Sequence, residues 1–285
     1  MATPNPRDRY IPLLTNAGLK PAFPVVAVDE YGQPREGQIA GEQPLTLYID
    51  KHEVVTLMTL GTHPELLVLG YLRGQRLVPC LESVHSIQVD WETEAVAVTT
   101  FDGVSDLEEK LKHRTVTSGC GQGTVFGRIA DQMERLRLPP VVLRQSRIYA
   151  LLDAINAYNE VYRKAGAVHG CALCSARGVD LFVEDVGRHN AADAVSGHMW
   201  LNAVDGADKV FYTTGRLTSE MVIKVAQMGI PAVLSRSGVT HKGLELARKV
   251  GLTMVARAKG QHFLVYSGAE RVVFDAKPRK RRLEA

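Results

Sequence analysis

The side chains best suited to covalent chemistry are the four cysteines, Cys80, Cys120, Cys171 and Cys174. A thiolate attacks electrophilic sulfur, and free cysteine, titrating near ~8.5, is already a few per cent thiolate at neutral pH. Cys120 is set apart by its neighbours, Ser118-Gly119-Cys120-Gly121-Gln122-Gly123-Thr124. Glycine on both sides removes side-chain bulk and permits positive φ, so this loop suits a thiol presented to more than one partner. His113 and Arg114 lie close in sequence and are the residue types that lower a thiol pKa. A second candidate is Cys171-Ala172-Leu173-Cys174, just after His169. On a helix that spacing places both thiols on one face. Three uses are open there: small buried hydrophobes, a redox pair, or part of a metal site that needs more ligands than two thiols and His169. Four cysteines in 285 residues are no disulfide framework.

Three loops each follow an apolar stretch and combine glycine or hydroxyls with arginine. They are Glu184-Asp185-Val186-Gly187-Arg188-His189-Asn190, Thr213-Thr214-Gly215-Arg216-Leu217-Thr218-Ser219-Glu220 and Ser235-Arg236-Ser237-Gly238-Val239-Thr240. Ligands of open α/β sheets bind outside the carboxyl ends of strands. Backbone N–H groups at helix starts, reinforced by Arg188 and Arg216, make a cradle for phosphates, with Gly215 and Ser235 beside them.

The elements that must position these residues divide the chain. Residues 1–22 read as an irregular lead-in. Residues 23–115 form a small β-rich region, with apolar stretches over 24–28 and 45–49, the second alternating like a half-buried strand, strands over 86–90 and 95–99, and a short helix over 65–72 opened by Pro64. Residues 116–144 are a connector carrying the Cys120 loop. From 145 to 275 the pattern is α/β: a long amphipathic helix over 146–164, then strands over 179–183, 209–213, 232–235, 253–257 and 263–266. Helices over 190–198, 219–227 and 242–250 lie between them. Such alternation predicts a mixed, largely parallel sheet with helices on its faces. Residues 276–285 are a basic tail, read as a solvated end.

A hydrophobic content of 45% with 23% charged residues is that of a globular protein, and the net charge of +3 resides partly in the tail. That argues against a nucleic-acid partner. No run approaches the ~20 apolar residues that span a bilayer, and the N-terminus lacks a secretory pattern. The expectation is a cytoplasmic protein with no membrane partner.

The run Glu184 to Asp193, Glu-Asp-Val-Gly-Arg-His-Asn-Ala-Ala-Asp, resembles a signature of the FdhD family of formate dehydrogenase accessory proteins. The resemblance continues through Thr214 to Lys224, Gly229 to Ser237, Pro64-Glu65-Leu66-Leu67 with Gly70-Tyr71-Leu72, and Ser118-Gly119-Cys120-Gly121. It implies a cytidine-deaminase-like fold, a homodimer, and a sulfurtransferase role. In that role Cys120 receives persulfide sulfur from a cysteine desulfurase and transfers it to the bis-molybdopterin guanine dinucleotide molybdenum cofactor before insertion into formate dehydrogenase. It also implies a cofactor-contacting segment, matched here by Arg257-Ala258-Lys259-Gly260-Gln261-His262. Arg257, Lys259 and His262 around a flexible glycine suit a multiply charged phosphate ligand. No metal held directly by the protein is expected.

Two departures stand out. Many members of the family carry Cys-x-x-Cys in the loop, whereas Gly123 occupies the second position here. A persulfide carrier needs one sulfur, so carriage survives this change; an intramolecular disulfide in the loop does not. The pair at Cys171 and Cys174 stands where relatives have small apolar residues. The alternative function is a non-catalytic chaperone for the same cofactor. A zinc deaminase is disfavoured, because His169 is followed two positions later by Cys171 and not by a glutamate. A thiol–disulfide oxidoreductase would need its pair at a strand–turn–helix junction.

Overall fold

The computed structural model describes residues 10–104 and 135–278, together with Leu107 and Met133. Two compact units share the chain: residues 1–126 with Asp185–Val204, and residues 127–184 with 205–285.

The first unit opens with β1 (Leu13–Leu14), β2 (Ala22–Val28), β3 (Pro34–Ala40), β4 (Gln43–Ile49) and β5 (His52–Thr59). Next come α1 (Pro64–Gln75), β6 (Val84–Asp90) and β7 (Ala95–Thr100). The sheet order is β1-β6-β7-β4-β5, while β2 and β3 form a separate antiparallel ribbon. Alternation dictates which face of β4 is buried: Leu45, Leu47 and Ile49 are fully enclosed. Asp50 and Lys51, at φ 45° and 75°, make the two-residue turn into β5. Asp50 also accepts hydrogen bonds from the Thr100 N–H at 2.9 Å and its hydroxyl at 2.6 Å, stitching the turn to β7.

The remaining elements are β8 (Leu143–Arg144), α2 (Gln145–Tyr158), α3 (Glu160–Ala165), β9 (His169–Ser175), β10 (Gly178–Asp185) and α4 (Arg188–Leu201). They continue with β11 (Val210–Thr213), α5 (Ser219–Gln227), β12 (Ala232–Ser235), α6 (His241–Val250), β13 (Thr253–Lys259), β14 (His262–Ser267) and β15 (Val272–Val273). Helix α4 follows β10 in sequence yet packs against α1 in the first unit. The helices approach at glycines: a Cβ on Gly70 would stand 1.7 Å from the Asp193 carbonyl oxygen, and one on Gly197 1.9 Å from that of Leu66.

In the second unit the sheet order is β10-β9-β11-β12-β13-β14. Strands β11, β12 and β13 run parallel, while β9 and β14 run antiparallel to their neighbours β11 and β13. Ile148, Leu151, Leu152 and Ile155 of α2 pack on the sheet face formed by Ala172, Cys174, Val210, Tyr212, Ala232, Leu234 and Val255.

Two sequence expectations are corrected here. The single helix expected over 146–164 is broken at Asn159 (φ −72°, ψ 58°). The Asn159 amide bonds back to the Ile155 carbonyl at 3.0 Å, and the Glu184 carboxylate takes the Val161 and Tyr162 N–H groups, so a tertiary contact starts a new helix. The pair Cys171 and Cys174 lies on strand β9, not on a helix. An odd separation along a strand points the two side chains to opposite faces. Three residues also span roughly 10 Å, beyond the ~7 Å between Cα atoms that a disulfide tolerates. Cys174 joins the core under α2, and Cys171 donates to the Thr213 hydroxyl at 3.3 Å. Burial pushes the Cys174 thiol up to about 12, far from a reactive thiolate. We expect native protein to resist alkylation at both positions, with mapping of carbamidomethyl sites as the check. Replacing both by alanine should cost roughly 1 kcal/mol per site, the scale of one buried methylene-sized group, and leave intact the sulfur loading that the family resemblance implies for Cys120. Loss of loading with an unchanged melting temperature would restore the redox reading.

Candidate functional site

Parallel strands β11, β12 and β13 deliver their carboxyl ends to one edge of the sheet. Thr213 and Ser235, register partners at the ends of β11 and β12, are fully buried, and their hydroxyls serve the loops that follow. The Gly215 N–H donates to the Thr213 hydroxyl at 3.0 Å, and the Ser237 N–H to that of Ser235 at 3.0 Å. The Ser235 hydroxyl in turn donates to the Gly215 carbonyl at 2.7 Å. Both loops then end alike: Leu217 bridges Val239, and Thr218 and Thr240 cap α5 and α6 with their side-chain oxygens. The threonine, serine and glycine content of these segments therefore builds two braced loops of the same plan.

The end of β13 is shaped differently. Its register with β14 shifts between Ala256 and Lys259, and Arg257 takes a left-handed φ of 51°. That conformation costs a non-glycine residue roughly 1 kcal/mol or more. The Arg257 N–H donates to the Ser237 carbonyl at 2.9 Å, and the flanking Ala256 and Ala258 are buried, which holds the bend. Gly260-Gln261 then turns the chain into β14, with Lys259 paired to His262 and Gly260 at φ 57°, where a side chain would be strained.

These segments and α2 border a cavity of about 1020 Å³, a size that accommodates a large small-molecule ligand. Leu152, Asn156, Tyr212 and Ala258 contribute to its walls, as do Arg236, Ser237, Gly238, Arg257, Lys259, Gly260, Gln261 and His262. Tyr212 is 3% exposed, and burial pushes its phenol up to about 12, so it is neutral at working pH. Among the described residues that line the cavity there is no carboxylate, and Arg236, Arg257 and Lys259 have no ion-pair partner among the described residues. Cations held at a cleft without internal partners are available to an anionic ligand, and arginine's planar fork suits phosphate oxygens. Leu152 and Ala258 provide an apolar surface beside them.

The segment Arg257 to His262 thus lies wholly on the cavity. Ser235 and Gly215 lie beneath it as braces, fully or nearly buried, and do not line it. Arg216 is exposed and outside the lining. Arg188 is the first residue of α4 and belongs to the other unit. Cys120, with His113 and Arg114, lies outside the described residues, as do residues 279–285 of the basic tail. Tyr212 and Asn156 were not singled out by sequence; Arg236 and Ser237 stood in the third strand-end loop, of which only Ser235 was chosen as a site residue. For Arg236 a signal exists: it directly follows a strand buried along its whole length, so its side chain emerges at the ligand-binding edge.

The run beginning at Glu184 divides its work. In the first unit, Asp185 is 5% exposed and accepts from the Thr59 hydroxyl at 2.6 Å, the Asn190 amide at 2.8 Å and the Gly187 N–H at 3.0 Å. Burial raises its carboxyl pKa against these hydrogen bonds, which favour the charged form. The Asn190 amide also donates to the Met58 carbonyl at 2.7 Å. Asp185 and Asn190 therefore fasten the start of α4 to the end of β5, which makes this part of the run architectural.

A mixed six-stranded sheet in this order, with helices following β11 and β12, makes the second unit an α/β domain, and the chain carries a β-rich region before it. More particularly, the chain belongs to the FdhD/NarQ family, whose model matches residues 40–273. It is similar to the sulfur carrier protein FdhD of Wolinella succinogenes, at 27% identity covering 90% of this chain and 91% of that one. It is 31% identical to the sulfur carrier protein FdhD of Shouchella clausii, covering 82% and 89%. A crystal structure from Desulfotalea psychrophila, assigned as a formate dehydrogenase accessory protein, superposes with a TM-score of 0.70 at 26% identity, covering 88% of this chain and 98% of that one. Among the described residues no helix is long and apolar enough to cross a membrane.

Proposed function

We propose that this protein is a cytoplasmic, homodimeric sulfur carrier that serves formate dehydrogenase. Cys120 accepts the sulfane sulfur of a cysteine desulfurase persulfide and passes it to the bis-molybdopterin guanine dinucleotide cofactor, which is the substrate and is not a resident group. Membership of the FdhD/NarQ family and the sulfur carriers among its relatives support the first half. The observation that carries the second half is the cavity at the ends of β12 and β13, walled by three cations with no ion-pair partner among the described residues. Its apolar surface and cationic rim match a ligand that joins a flat base to phosphates.

Titration calorimetry with GDP tests the cavity. Wild type should bind, and Lys259→Ala should weaken binding about tenfold, the scale of one charge-assisted hydrogen bond. Affinity should fall as salt is raised, because the contacts are ionic. Equal affinity in wild type and Lys259→Ala removes Lys259 from the site.

A further inference from the structure

One wall of the cavity depends on residues that do not touch it. Arg236 has its backbone pinned, its N–H donating to the Thr213 carbonyl at 3.1 Å, but its side chain is exposed and forms no salt bridge among the described residues. A free arginine samples many rotamers, and fixing it on a ligand costs conformational entropy. Here the guanidinium carbon lies 5.6 Å from the ring centroid of Tyr162, within the range of a cation–π contact.

Tyr162 stands on α3, a helix of six residues, too short to persist through its own hydrogen bonds. Its start is supported by Glu184, 8% exposed, whose two carboxylate oxygens accept from the Val161 N–H at 3.0 Å and the Tyr162 N–H at 2.9 Å. A carboxylate at that end also favours the helix dipole. Glu184 is held by its place at the end of β10, one residue before the Asp185 anchor.

We propose that Glu184 and Tyr162 are positioning residues that hold the Arg236 guanidinium over the cavity for an anionic, phosphate-bearing ligand. This rests on the reading of the cavity as the guanine dinucleotide site. It assigns Glu184, the first residue of the Glu-Asp-Val-Gly-Arg run, a task separate from that of Asp185. The ring is what matters in Tyr162, not its hydroxyl.

The test is GDP affinity measured across a salt series on the full chain, with the melting temperature of each variant. Arg236→Ala should weaken binding about tenfold and make the salt dependence shallower, since one ionic contact is lost. Tyr162→Leu should weaken it about three- to fivefold, the range of an exposed cation–π contact, with little change in melting temperature. Tyr162→Phe should bind as wild type does. The double variant Tyr162→Leu/Arg236→Ala should be no weaker than Arg236→Ala alone, because both act through one guanidinium. Glu184→Gln, which turns a donor toward an N–H that needs an acceptor, should reproduce the loss seen in Tyr162→Leu. Wild-type protein that fails to bind GDP overturns the reading of the cavity and this inference with it. Wild type that binds, with Tyr162→Leu unchanged or with additive losses in the double variant, overturns the inference alone. Glu184→Gln with wild-type affinity removes Glu184 from it.

Discussion

Cys120→Ala should fold, bind GDP with wild-type affinity, and gain no sulfur when incubated with a cysteine desulfurase and cysteine. The wild-type reaction is attack by the Cys120 thiolate on the terminal sulfur of the desulfurase persulfide. A sulfur–sulfur bond forms at Cys120 as the desulfurase sulfur leaves as a thiolate. Alanine has no atom to take that part, so the expected effect is complete loss and not a shift in rate. Intact-mass measurement reads it directly, as a one-sulfur adduct on wild type that is missing from the variant. Activation of formate dehydrogenase should fail in parallel. The other thiols are poor substitutes: Cys171 and Cys174 are fully buried, and the Cys174 thiol is pushed up to about 12. Cys80 is exposed, so it is the residue on which a stray adduct would be sought. A persulfide found there with activation intact would sink the assignment. Full activation by Cys120→Ala would identify a cofactor chaperone that handles no sulfur.

The second large effect is on stability. Gly197→Ala should lower the stability of the first unit by about 3 kcal/mol, the upper end of ordinary overpacking. For a chain of this size that corresponds to a fall in melting temperature of roughly 6–12 °C. Helix propensity alone gives the opposite sign, because alanine is favoured over glycine in a helix by about 1 kcal/mol. Geometry decides. The added Cβ would sit 1.9 Å from the Leu66 carbonyl oxygen and 2.9 Å from the Gly70 nitrogen, both backbone atoms that cannot rotate away. Helices α1 and α4 would have to separate. Gly37→Ala is the matched control, since a Cβ there meets nothing within 4 Å. A rise in melting temperature for Gly197→Ala would mean that α1 and α4 do not pack this closely.

Periodicity made much of the second unit legible. Short apolar runs followed by threonine or serine and a helical stretch led directly to β11, β12, α5 and α6, because local hydrogen bonds and caps write those boundaries into neighbouring residues. The family resemblance added the segment Arg257 to His262, which lies on the cavity. Strands β3 and β5 went unread. Most of β3 is exposed, and β5 buries only Val54, Leu57 and Thr59, which leaves little alternation to detect.

By itself, then, the sequence determined the α/β class, the capped loops at the ends of β11 and β12, and Cys120 as the thiol in a glycine-rich setting. These are properties of adjacent residues. Tertiary structure alone decided the rest, since each depends on a partner distant in the chain. Glu184 starts a new helix after the break at Asn159 by accepting two N–H groups from α3. Cys171 and Cys174 face opposite ways because their segment is paired as a strand with β11. Helix α4 joins α1 because glycines on both let their backbones meet. Arg236 reaches the cavity beside Arg257 because β12 and β13 lie side by side, a pairing of residues far apart in sequence that no local pattern encodes.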